Sequence, residues 1–188
     1  MINTRKLAIV VLILIPMLGT AAFARRRDPL TEAETDQLRQ TRLEPAKRMK
    51  LFGKFAEARL DNIDQMLNDP KQEKERPTLI HDLLEDFSSI VDEINDNLDM
   101  FQTDDKKLID QEQAKEYRKG LKELISQEGR LRARLRTLQH DIEGNPKLKT
   151  EAQAYVFSLQ DADQALKLSL DTARQYLTEK QEEKPQKK

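Results

Sequence analysis

The stretch from Leu79 to Phe101, LIHDLLEDFSSIVDEINDNLDMF, decides how this chain is read. Its apolar residues Ile80, Leu84, Phe87, Val91, Ile94, Leu98 and Phe101 follow one another at alternating steps of four and three. Such steps return each side chain to the same side of an α-helix, whereas a half-buried strand needs a step of two. Held through the whole stretch, the pattern is a heptad seam along which one helix packs against others.

The same stretch carries Asp82, Glu85, Asp86, Asp92, Glu93, Asp96 and Asp99, and no Lys or Arg. On the heptad all of them fall opposite the seam, so an outward acidic face is expected. Like charges three and four apart on a helix cost roughly 0.2–0.5 kcal/mol per pair, and nothing within the stretch offsets them. A solvated face that keeps the chain soluble accounts for this pattern. The functional reading is a docking face for a basic partner or for cations, with Glu85, Asp92, Asp96 and Asp99 as its candidate residues.

Similar seams run on both sides. Before the acidic stretch, Met49, Phe52, Ala56, Leu60, Ile63 and Leu67 form the stripe of a helix that restarts at Pro45 and ends at Asn68-Asp69-Pro70. Proline suits the first turn because that N–H has no helical partner. Leu51 and Phe55 lie off the stripe and are expected to receive a short helix, residues 31–43, through Leu38. Thr31-Glu32-Ala33-Glu34 opens that short helix with a capping box. A charged loop, 71–77, precedes Thr78, the expected cap of the acidic helix. Beyond a turn at 102–107, the fourth helix carries Tyr117, Leu121, Leu124, Glu128, Leu131, Leu135, Leu138 and Ile142, and Gly144-Asn145-Pro146 closes it. The last helix, 150–179, carries Ala152, Tyr155, Val156, Leu159, Ala162, Leu166, Leu170, Ala173 and Leu177. The fold expected is all-α: an antiparallel up-down bundle of four long helices plus a short N-terminal helix. The bundle domain spans 31–177, and a polar, disordered tail is expected over 178–188.

Composition agrees and narrows the chemistry. Of 188 residues 36% are charged, glycine is scarce and tryptophan is absent, a profile of long helices. The formal net charge is −1, which gives no general affinity for nucleic acid. The chain contains no cysteine, which excludes disulfides, thiolate metal sites and a lipoprotein anchor.

The first 24 residues read as a secretory signal peptide. Arg5 and Lys6 form a basic start, Leu7 to Leu18 an apolar run, and Ala22-Phe23-Ala24 a small-residue cleavage site. Cleavage is expected after Ala24 and places the chain in the periplasm, behind a linker over 25–30. The rival is an uncleaved anchor held by Arg25, Arg26 and Arg27, and membrane contact is expected only in that case.

Glu128 is the sharpest single residue, a carboxyl at a seam position among Tyr, Leu and Ile. Buried alone, it must find a partner or take up a proton. A metal, haem or small-ligand site in the bundle core is the functional reading, and a register-fixing polar contact the structural one. Asp163 borders the stripe of the last helix. On the fourth helix Arg118, Arg132 and Arg134 flank the seam and are expected to pair with acids on neighbouring helices. His140 falls at the most exposed position and His81 at the seam's edge; neither has a Glu three residues before it, as di-iron carboxylate bundles require. The sequence shows no phosphate loop, nucleophile elbow or zinc spacing. Neither catalysis nor a cofactor is expected.

Leu30-Thr31-Glu32-Ala33-Glu34 resembles the Leu-Thr-x-x-Gln motif of the small periplasmic helical chaperones of the Spy and CpxP type, over five residues and with Glu in the place of Gln. The resemblance implies an ATP-independent holdase, for which Leu51 and Phe55 are the candidate apolar surface. The leading expectation is an exported bundle that acts by binding another macromolecule, with another envelope protein as the expected partner, in an oligomeric state the seams leave open.

Overall fold

Among the described residues there are six α-helices, and the four long ones form because each has one apolar stripe to bury and a polar remainder to leave in water. The structure, a computed structural model, describes residues 28–42, 44–104 and 111–182. The expected signal peptide, 1–24, lies outside them, as do 25–27 of the linker and 183–188 of the tail. The helices are α1 (Glu32–Gln40), α2 (Pro45–Asn68), α3 (Arg76–Asp104), α4 (Gln111–Gly144), α5 (Pro146–Glu151) and α6 (Val156–Glu182). Among the described residues there is no strand. None of the described helices is long and apolar enough to cross a membrane.

The capping box forms as the sequence predicts: the Thr31 hydroxyl accepts from the Glu34 N–H, and the Glu34 carboxylate accepts from the Thr31 N–H. Pro45 opens α2 at its first turn. The acidic helix starts at Arg76, two residues before the expected cap, because Pro77 also fits a first turn.

The last helix is broken where the sequence suggested continuity. Asn145 caps α5 by accepting from Lys147 N and Leu148 N, at 3.0 and 3.4 Å. A 3₁₀ turn, Ala152–Ala154, then leads to Tyr155, and both Ala152 and Tyr155 are buried. Three residues per turn stacks side chains three apart directly over one another, so the tighter turn aims both into the core. Val156, expected on the stripe, lies at the surface instead. At the other end α6 continues to Glu182, past the expected start of the tail.

The core collects the predicted stripes. Met49, Phe52, Ala56, Ile63, Ile80, Leu84, Phe87, Val91, Ile94, Leu98, Leu121 and Leu166 are all buried. The neighbours differ from those of a plain up-down bundle. The main contacts join α2 to α3, α3 to α6, α6 to α4, and α4 to α2. Arg48 meets Asn97 and Arg59 approaches Asp86, so α2 and α3 are antiparallel. Arg132 meets Asp163 and Ser169 meets Glu128, so α4 and α6 are antiparallel. Lys50 lies 3.6 Å from Glu123 and Arg134 lies 2.8 Å from Asp61, so α2 and α4 run parallel. Antiparallel order between all neighbours is therefore corrected: α2 and α4 form a parallel pair.

Two glycines let that parallel pair come close. A Cβ on Gly120 would stand 2.7 Å from the Ala46 Cβ, and one on Gly53 would collide with the Gln127 amide. Ala46 can yield only by moving backbone, whereas the Gln127 side chain can swing. Gly120→Leu is expected to lower unfolding stability by about 2 kcal/mol in a urea titration, the cost of overpacking a tight contact. Gly53→Ala should cost clearly less.

Candidate docking face and buried polar groups

The acidic face of α3 is largely outward. Glu85, Asp92, Glu93 and Asp96 are exposed. The Asp99 side chain lies outside the described residues. Glu85 stands 3.4 Å from His81 Nε2, one turn earlier. Asp86 breaks the expected pattern, because its position abuts α2 and its carboxylate turns to Arg59, 3.8 Å away. His81 is half-buried, with Nδ1 2.6 Å from the Ser158 hydroxyl of α6. His140 is exposed.

The arginines beside the α4 seam do pair across helices. Arg132 donates to both oxygens of Asp163, at 2.8 and 3.1 Å, and this hydrogen bonding holds the Asp163 carboxyl below its usual range against the opposing effect of burial. Arg134 bridges Asp61 and Asp64 on α2. Both contacts fix helix order.

Glu128 is fully buried. The Ser169 hydroxyl donates to its Oε1, and Oε2 has no hydrogen-bond partner. Burial pushes its carboxyl up to about 7, against the opposing pull of the Ser169 hydrogen bond and the Arg174 charge. One carboxyl and one hydroxyl make a poor ligand set for a divalent cation, which wants several oxygens or nitrogens. Among the described residues no three His, Asp or Glu gather as a metal-binding group.

Two further polar clusters escaped the sequence reading. Arg59, buried on α2, grips Glu34 with both guanidinium ends at 2.7 Å and the Pro29 carbonyl at 2.6 Å. Burial opposes ionisation of Glu34, but the Arg59 hydrogen bonds, the Thr31 N–H and the Arg59 charge hold its carboxyl below the usual range. Where α2 ends and α3 begins, Arg76 reaches Glu151 at 3.2 Å and the Leu67 carbonyl at 3.3 Å, tying α2, α3 and α5 together. Tyr155 lies beside this cluster with its hydroxyl unpartnered, and burial pushes its phenol up to about 12.

Leu51 and Phe55 do not form an open apolar surface. Phe55 is buried in the core cluster with Leu38, and Leu51 packs against it. Among the described residues the exposed large apolar side chains are on α6: Phe157, 75% exposed, and Leu168, 60% exposed, with Val156 at the margin. Their sequence signal was their place off the stripe of the last helix, eleven residues apart. Comparison with known families, curated proteins and solved structures gives no match.

Proposed function

We propose that this chain is an exported envelope protein that acts by binding another macromolecule, a basic envelope protein, and catalyses no reaction. The supporting observation is the α3 face, where Glu85, Asp92 and Asp96 are exposed along a stretch with no Lys or Arg. Arg132 and Arg134 of α4 pair with Asp163 and Asp61, whereas the stretch from Leu79 to Phe101 carries no Lys or Arg of its own. A surface of one sign speeds encounter with the opposite sign and selects against like-charged partners.

The Glu85→Lys, Asp92→Lys, Asp96→Lys, Asp99→Lys chain is expected to lose capture of the partner from the soluble envelope fraction of the native host. Capture should weaken with rising salt in the parent, because charges at a surface are screened. Equal recovery of the same partner by parent and variant, measured by affinity purification and mass spectrometry, would refute the reading.

A further inference from the structure

The α3 face does not end at α3. His81 and Ser158 join α3 to α6 at one level. Helix directions alternate along the chain, so α3 and α6 run parallel, and residues equally far beyond that contact stay level. His81, Glu85 and Asp92 share one edge of α3, spaced at four and seven residues. Ser158, Asp161 and Leu168 share the facing edge of α6, spaced at three and seven. Glu85 therefore stands within one residue of the level of Asp161, and Asp92 within one residue of the level of Leu168. Phe157 and Leu168 are eleven residues apart, three turns or about 16 Å along α6. The result is one surface of two exposed apolar side chains with acids on and between their levels.

We propose that the element bound here is a basic amphipathic helix, its apolar side chains seated on Phe157 and Leu168 and its cations meeting Glu85 and Asp161. This rests on the docking reading above and adds the form of the partner. Charge complementarity selects the occupant. A second copy of this chain would bring acids against acids across any contact made through this edge, whereas a helix with Lys or Arg flanking its apolar stripe neutralises them. Two apolar anchors three turns apart match the repeat of such a stripe, and recognition by helix faces uses anchors of this kind.

The absence of tryptophan from the chain supplies a clean readout. The probe is a synthetic helical peptide with Leu and one Trp on one face and Lys on the other. Added to the full chain, its Trp emission should shift to the blue as the ring leaves water. The Phe157→Ser, Leu168→Ser chain should lose most of that shift and bind about tenfold or more weakly. Its thermal unfolding should match the parent, since both side chains are exposed. A peptide with Glu in place of Lys should not bind.

The outcomes separate the two readings. If the α6 double variant binds like the parent while charge reversal on α3 abolishes binding, the apolar seat is wrong and the acidic docking face stands. If neither variant changes binding, both fail. If the chain is a dimer that the α6 substitutions split into monomers, the surface serves self-association and the proposed occupant is overturned.

Discussion

At pH 8 the Glu128→Gln chain is expected to be more stable than the parent by about 3 kcal/mol, and the difference should vanish toward pH 4. The argument starts from the folded carboxyl, which burial raises from 4.5 to about 7 against the weaker pull of Ser169 and Arg174. Between those two values the folded chain holds a proton that the unfolded chain has released. Stability therefore falls as pH rises from about 4.5 to about 7, and levels off beyond. A shift of this size corresponds to about 1.4 kcal/mol per unit, hence the magnitude above. Glutamine keeps an oxygen to accept from Ser169 and never ionises. Its amide is left unpartnered, much as Oε2 is in the parent, so the two chains should agree at low pH. Urea titrations of both chains across this range give the test. Every other residue is common to the two chains, so the difference between them isolates position 128. A difference that stays flat with pH would mean that the Glu128 carboxylate is solvated, and the closed core described here would be wrong at that point.

Much of the fold could be read from the seams, because a heptad states which side of a helix must leave water. Ile80, Leu84, Phe87, Val91, Ile94 and Leu98 were identified this way and all are buried. Glu128 was legible for the same reason, as the one carboxyl at a seam position of its helix. A seam does not state which neighbour it meets. The parallel pairing of α2 with α4 depends on Gly53 and Gly120 admitting Gln127 and Ala46, and no periodicity encodes that match. Phe157 and Leu168 give no such signal, because an apolar stripe marks the inward side of a helix and these two mark the outward side of α6. The break before α6 was hidden because Ala152 and Tyr155 fit a helical stripe and a 3₁₀ turn equally well.

Arg59 illustrates a different limit. Its partner Glu34 was already accounted for locally, by the capping box, so nothing in the sequence demanded a second contact. The structure adds one: the carboxylate that caps α1 also pins α1 to α2 through a buried guanidinium. The five-residue segment that resembles the chaperone motif is thus held by the chain's own arginine.

Arg59→Met is expected to destabilise the chain by about 3–5 kcal/mol, the usual cost of leaving a buried charge without its partner. Methionine fills similar space, so packing loss stays small, but the Pro29 carbonyl and Glu34 Oε1 lose their donor, and Glu34 Oε2 keeps only the Thr31 N–H. Glu34 can escape the penalty by taking a proton or by undocking α1 into water. Undocking exposes Leu38 and opens the contact with Phe55, so amide hydrogen exchange should accelerate across 32–40 before it does in α3 or α4. Adding Glu34→Met to Arg59→Met should recover most of the loss, apart from about 1 kcal/mol for the missing half of the capping box. The pH signature should oppose that of Glu128. The folded Glu34 carboxyl is lowered, so its contribution is complete above the unfolded value of 4.5 and is lost as pH falls through the folded one. The parent should therefore lose stability on the acid side through Glu34 while it gains there through Glu128, and the two single variants should separate these limbs. A double variant no more stable than Arg59→Met alone would mean that the arginine matters for packing rather than for the charge it neutralises.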